Sequence, residues 1–411
     1  MLSNYLQSEH HNTFNIKINL FFAGAVLFLA GLILTLLIDV RAAQGLQIIA
    51  IIIFVGYGIK VSEFHFEDIY FKFCFCLLCG WHLYVVFRGA DLSYFFIKQY
   101  LFSEFVFWPF IIPFAIFLPK NGLMFKKMFG LFTCLGLFFL VFSIAAFKLF
   151  QGTPLIGEQA IWTFSSGCGF MLLSSKYLSG RRIWLALIVV MVALLIATLL
   201  ARRNVMLTNV NYLVAGFHLY FFYYSSGNWA KKAGSLVILI LVCVGAFIVF
   251  EQKKDQDFKL IINRAGEDTR EYVFDYFFDD MSKAKWAGKG MNGAYFCPLF
   301  IPDTDSDPIE DRDLIECGYL QIILKGGLVN LILFLAIVLP AVYLGLFRSE
   351  NGLSKASAVW VIIWLIDMVP YGLPSFSLRY ILVWFAIGLC YSKSFRELSE
   401  QDIDKIINWS Y

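Results

Sequence analysis

Arg202 and Arg203 stand side by side at the end of an apolar run, against the general placement of cations in this chain. A guanidinium is a planar fork that grips phosphate oxygens in two places, so such a pair at a membrane boundary suits anion binding. The plainer reading is two long side chains snorkelling to lipid headgroups. Two further arginines lie in Asn263-Arg264-Ala-Gly-Glu-Asp268-Thr269-Arg270. Asp268 or Thr269 can cap a helix that runs to about Trp286, which places Arg270 in its first turn, where the helix dipole already favours anions. The alternative is a solvated face paired with Glu267, Asp268 or Glu271. Arg202, Arg203, Arg264 and Arg270 are therefore the candidate phosphate or diphosphate ligands. Glu316, in Asp311-Arg312-Asp313-Leu-Ile-Glu316-Cys317, sits where a hydrophilic stretch enters an apolar run. Partly desolvated, it can act as a general base, with Arg270 beside it as the second catalytic candidate. Its other reading is a helix-start carboxylate favoured by the dipole.

Other polar residues carry weaker chemistry. Lys325 lies a turn or two deeper, before Gly326-Gly327, and an intramembrane cation needs a partner, here Glu316 or Asp367, or a role. His82 and His218 fall inside apolar runs and read as packed, hydrogen-bonded histidines. Cys74-x-Cys76-x-x-Cys79 has no His or carboxylate beside it and reads as packing thiols, not a metal site. Cys297 and Cys317 can pair in an oxidising compartment. The run from Asp303 to Glu310 lacks the sixth-position Gly and twelfth-position Glu of a calcium loop and reads as a solvated acidic loop. There is no phosphate-binding Gly-Lys-Ser/Thr loop, no Gly-x-Ser-x-Gly and no His-Glu-x-x-His. No cofactor is implied.

The elements that must position these residues follow from composition. Hydrophobic residues make up 60% of the chain, charged residues 15%, and the mean hydropathy is +0.72. A soluble domain is about half apolar and a quarter charged, so the bilayer is the main solvent here. A net charge of +3 gives no reason to expect nucleic acid. Apolar runs fall near 18–39, 44–61, 69–87, 102–119, 128–149, 157–176, 182–201, 205–224, 234–250, 318–346, 355–373 and 376–394. Most meet the roughly 20 residues a spanning helix needs. Residues 1–16 lack Lys and Arg, so the first run reads as a permanent span and not a cleavable leader. With the N-terminus in the cytoplasm, sixteen Lys and Arg fall inside and seven in the short outer loops, as the positive-inside rule favours.

The expected architecture is thus an all-α polytopic membrane bundle of about twelve transmembrane helices. Spans one to nine occupy 1–250, an outer loop 251–316, spans ten to twelve 317–394, and a cytoplasmic amphipathic tail 395–411. The loop is too long for a mere connector and carries net charge −7. Within it, 268–284 is expected to lie as a helix along the membrane surface, with Tyr272, Phe274, Tyr276, Phe277 and Phe278 against the interface. A glycine-rich turn, Gly288-Lys289-Gly290-Met291-Asn292-Gly293, follows.

This order of features resembles the O-antigen polymerase and O-antigen ligase superfamily, membrane glycosyltransferases of the GT-C type. The shared features are an Arg pair ending a span, a large periplasmic loop whose helix opens on an Arg before a Gly turn, and a loop exit running into a Gly-containing span. The motif content covers 200–346. Ligases carry a His near the loop exit; this loop has none, and Glu316 stands there instead, which favours a polymerase. The resemblance implies a bacterial inner-membrane protein with both termini cytoplasmic. It implies a metal-independent, inverting transfer of a glycan from an undecaprenyl-diphosphate donor to a lipid-linked acceptor at the periplasmic face, in O-antigen or capsular polysaccharide synthesis. Membrane lipid and a chain-length regulator are the further implied partners. The alternatives are a ligase-like transferase and, from another class, a lipid-linked oligosaccharide flippase or other transporter.

Overall fold

The structure, a computed structural model, describes residues 11–37, 40–224, 270–298 and 311–408. It is overwhelmingly helical. The helices are α1 His11–Leu37, α2 Val40–Val61, α3 Ile69–Gly89, α4 Tyr94–Phe102, α5 Trp108–Phe117, α6 Gly122–Ala145, α7 Pro154–Ala160, α8 Ser166–Leu173, α9 Gly180–Leu199, α10 Arg203–His218, α11 Arg270–Met281, α12 Gly318–Phe347, α13 Gly352–Asp367, α14 Leu378–Tyr391 and α15 Glu400–Asn408. Seven helical stretches among the described residues are long and apolar enough to cross a membrane, and α5 and α14 are shorter apolar helices. The expected run 234–250 lies outside the described residues.

Local chemistry sets the element ends. Asp68, Asn121, Asn351 and Ser377 each accept a hydrogen bond from a backbone N–H three residues on and so cap α3, α6, α13 and α14. The run 102–119 does not form one span: Pro109 and Pro113 cut it to a short helix that ends in a tighter turn, preceded by a bend over 103–107. The run 157–176 is likewise split, with α7 and α8 joined by a wide π-type turn, Ile161–Ser165, a feature that recurs at functional sites.

Apolar helices in lipid gain little from hydrophobicity alone, so close van der Waals fit must hold them together. Helices α1 and α2 form the tightest pair, where a side chain on Gly24 would collide with the Phe54 backbone at 2.6 Å. Phe28, Phe54, Trp108 and Phe376 interlock beside them, with Phe28 and Phe376 ring centroids 4.1 Å apart.

Helix α12 is broken at Gly327, which holds φ 71° and ψ −176°. The Gly-rich turn docks into this break. Lys289 and Gly290 donate backbone N–H groups to the carbonyls of Leu324 and Lys325, while Leu328 and Val329 donate to Lys285 and Trp286. Gly288, also at positive φ, lies where any side chain would strike Gly327. Backbone freed by the break is thereby satisfied by the loop and not left to lipid.

Helix α11 begins at Arg270, inside the expected 268–284. Its aromatics divide. Phe277, with Met281, enters a small core of Tyr295, Cys297, Ile315 and Leu324, so it is not an interfacial residue. Tyr272, Tyr276 and Phe278 remain exposed. The two-residue strands β1 Tyr295–Phe296 and β2 Asp311–Arg312 pair antiparallel beside this core. Cys297 and Cys317 are both buried and stand as separate thiols, so the pairing that the sequence left open is not formed.

Contacts sort the chain ends of the helices into two groups. At one end, Asn292 binds the Gly89 carbonyl and the Tyr100 hydroxyl, Gly318 binds Met368, and Arg88 reaches Ala287. At the other, Glu67 meets Ser392 and Ser394, Arg396 binds Arg348, and Glu400 meets Tyr177, Lys176 and Gly352. The described parts of 251–316 thus gather at the first end and the tail helix α15 at the second.

Candidate active site at the loop-bearing end

Two buried charged groups near the loop-bearing end are Asp367, the last residue of α13, and Arg379, the second of α14. Asp367 is fully buried, pairs with Arg379 and accepts a hydrogen bond from Thr208 on α10 at 2.8 Å. The guanidinium lies 4.9 Å from the Trp162 ring and 5.7 Å from Trp364. Taking both charges out of water is costly, so this pair argues for a specific positional role more than for stability. Because the same ion pair fixes Arg379 between two indoles, its fork is held in place before any ligand arrives.

Arg379 lines a cavity of about 50 Å³ together with Glu104, Gln159, Trp162, Tyr371 and Ser375. Glu104 comes from the bend before α5. Its carboxylate accepts a hydrogen bond from Gln159 at 3.2 Å, and its backbone carbonyl holds Phe376 at 2.8 Å. The volume suits a few water molecules, so a glycan would need the walls to part. Those walls are the bend 103–107 and the segment 368–377, both outside the long helices.

Above the cavity a charged rim forms. Glu158 of α7 pairs with Arg202 at 3.3 Å. Arg202 is aimed there by local backbone geometry: Ala201 adopts φ 53°, a left-handed conformation unusual for a residue with a Cβ, and Arg202 N–H returns to the Ala197 carbonyl at 2.8 Å. Glu316 is exposed at the loop exit and within electrostatic reach of Glu158. Tyr371 lies in the combined field of Glu104, Glu158, Glu316 and Arg202. Glu104 and Arg379 thus line the cavity itself, and Glu158, Arg202 and Glu316, from separated parts of the chain, lie within electrostatic reach of Tyr371 in its wall.

The sequence-predicted residues are only partly gathered. Arg202 and Glu316 reach the same rim. Arg203, the first residue of α10, is exposed. Arg270 starts the loop helix, but its side chain and the whole of Arg264 lie outside what the structure describes. Lys325 corrects one expectation: its ammonium donates to the Gly293 carbonyl at 2.9 Å and pairs with neither Glu316 nor Asp367, which already holds Arg379. His82 packs edge-on against Phe110 and lines a second cavity with Lys325, Asn330 and Trp384.

Glu104, Glu158, Gln159, Tyr371 and Arg379 did not stand out in the sequence, and Asp367 did so only as a partner for Lys325. The usable signal was simple. Glu104, Glu158 and Asp367 are carboxylates inside runs otherwise apolar enough to span, and such residues mark function or pairing by default. No protein-family model, curated protein or solved structure matches the chain.

Proposed function

We propose that this chain is a polytopic membrane glycosyltransferase of about twelve spans, with 251–316 on the periplasmic face and both termini in the cytoplasm. It would extend a polysaccharide by moving a glycan from a polyprenyl-diphosphate carrier to a lipid-linked acceptor. The observation that carries this reading is an aromatic-walled cavity lined by Glu104 and the preset Arg379, with Glu158–Arg202 and Glu316 within electrostatic reach of its Tyr371. Such a reaction needs cations for a departing diphosphate, a base for a sugar hydroxyl, and aromatic faces for sugar rings.

The roles divide by geometry. Arg379 and Arg202 would hold the diphosphate and stabilise its growing charge, as side-chain forks without a bound metal. Glu158 is engaged by Arg202. Glu104, turned into the cavity beside Gln159, is the carboxylate assigned as base; Glu316 at the rim would meet the incoming acceptor first. The acceptor oxygen bonds to the anomeric carbon as Glu104 takes its proton. The carbon–oxygen bond to the diphosphate breaks, and polyprenyl diphosphate leaves with the electron pair, inverting the centre.

The test is direct. Purified chain in lipid nanodiscs is incubated with a polyprenyl-diphosphate-linked oligosaccharide, and products are read by mass spectrometry. Longer lipid-linked glycan with stoichiometric free polyprenyl diphosphate is expected. One observation favours a second reading, a transporter of lipid-linked oligosaccharide: the broken helix α12, with Lys325, His82 and Asn330 lining a cavity beside the break. Movement of the intact donor across proteoliposomes without diphosphate release would select it.

A further inference from the structure

At the tail-bearing end, far from the site above, a groove of about 510 Å³ opens between α1, α6 and α9. This is ten times the volume of the cavity at Arg379 and within the range of ligand sites. Its lining is divided along the helix axes. Lys126 and Lys127 lie in the first two turns of α6 and Arg182 in the first turn of α9, so three cations ring its outer edge. Phe22 and Val26 of α1, with Gly130 and Leu131 of α6, form the apolar wall a turn or more deeper. None of the three cations has an ion pair to a described acidic residue. The end is fixed by contacts: the start of α6 packs on the tail helix α15, and Lys176, just before α9, pairs with Glu400.

We infer that this groove binds one anionic phospholipid, its headgroup phosphate held by Lys126, Lys127 and Arg182 and an acyl chain lying on Phe22, Val26 and Leu131. The matching is chemical and positional. A zwitterionic lipid carries its own cation beside its phosphate and so offers the ring no net charge, whereas a net negative headgroup is complementary. The cations stand at the helix ends where headgroups lie, and the apolar wall begins where the acyl region does. The empty side of Gly130 leaves the wall open, since a side chain there would meet nothing within 4 Å. This inference depends on the chain residing in a membrane and not on any glycan transfer.

The experiment uses the full chain in mixed micelles containing phosphatidylglycerol or phosphatidylcholine, with retained lipid read by native mass spectrometry and thermal unfolding followed in parallel. Each cation near the surface contributes about a five-fold gain in affinity for an anionic lipid, so Lys126→Gln, Lys127→Gln and Arg182→Gln together should weaken phosphatidylglycerol retention about 100-fold. Phosphatidylcholine retention and unfolding in phosphatidylcholine should not change. Gly130→Trp, which fills the wall without touching charge, should lower retention while the cations remain. Equal retention of both lipids by the unmodified chain, or unchanged phosphatidylglycerol retention in the triple variant, overturns the inference. So does an equal rise in unfolding temperature with inorganic phosphate alone, which would mark a free-anion site. Occupation of the groove by residues 1–10, seen as a crosslink from that segment to Lys126 that phosphatidylglycerol fails to displace, also overturns it.

Discussion

Arg379 owes its fixed position to Asp367, and the two can be separated experimentally into stability and function. Asp367→Asn leaves a buried guanidinium without its counter-charge, which costs about 3–5 kcal/mol. Lower unfolding temperature and loss of transfer should therefore appear together. Replacing both, Asp367→Leu with Arg379→Met, removes the burial penalty; it should restore much of the unfolding temperature and still give no transfer. A stable double variant with normal transfer would remove Arg379 from the site. A second residue-scale expectation concerns Ala201. A left-handed φ strains any residue with a Cβ, so Ala201→Gly should raise stability slightly, by under about 1 kcal/mol, and leave transfer intact. A fall in stability, read by thermal unfolding, would contradict that account of the turn. At this scale the sequence showed the arginine pair and Glu316 because they interrupt apolar text near a loop. It hid Glu104 and Glu158 because each stands alone in its run, and only the folded bend and the split helix bring them to a common opening.

The broken helix α12 and the turn at Gly288 act as one joint. At Gly327 a Cβ would sit 2.1 Å from the Trp286 carbonyl oxygen, and the residue is at positive φ besides. Gly327→Ala should thus undock the turn. The measurable sign is faster tryptic cleavage at Lys283, Lys285 or Lys289 in folded protein, and an unchanged cleavage rate would argue that the joint is dispensable. At the opposite end, Glu67 ties the segment before α3 to the start of the tail. Burial alone would raise its carboxyl, but hydrogen bonds from Ser394 and Ser392, with Lys120 nearby, hold it below the ordinary range. A lowered folded-state value contributes stability that is fully present above the unfolded carboxylate range and lost as pH falls from there through the folded-state value. Glu67→Gln should accordingly lower the unfolding temperature at neutral pH and converge with the unmodified protein in acid, so that its decline on acidification is flatter; an unchanged neutral unfolding temperature with an identical acid decline would contradict it. The glycine turn and Gly326-Gly327 were both visible in the sequence, whereas their mutual docking was not, because backbone hydrogen bonds between residues so far apart in the chain leave no mark in composition. Phe277 shows the converse. A run of aromatics suggested one interfacial surface, and helical period buries Phe277 and turns Phe274 partly onto the same core.

For the whole molecule, charge placement makes an independent prediction of sidedness. In a background with the exposed Cys76 and Cys134 replaced by Ala, Asp305→Cys and Arg203→Cys should both react in intact cells with a membrane-impermeant reagent, and Lys405→Cys only after lysis. A shielded position 305 would invert or break the proposed topology. The helical, apolar character of the chain was legible at once, since bilayer-length runs dominate it; the true extents of the runs near 102–119 and 157–176 were not, because proline and a wide turn shorten helices without changing hydropathy. The central claim is that the cavity lined by Glu104 and Arg379, with Arg202 and Glu316 within electrostatic reach of its wall, performs glycan transfer. Its most direct test is the rate of polyprenyl diphosphate release from a lipid-linked oligosaccharide by purified Glu104→Gln, compared with unmodified protein at matched folding and lipid content. Loss of a positioned base predicts a fall of about 10²–10⁴-fold with donor binding retained. Release at the unmodified rate would contradict the account.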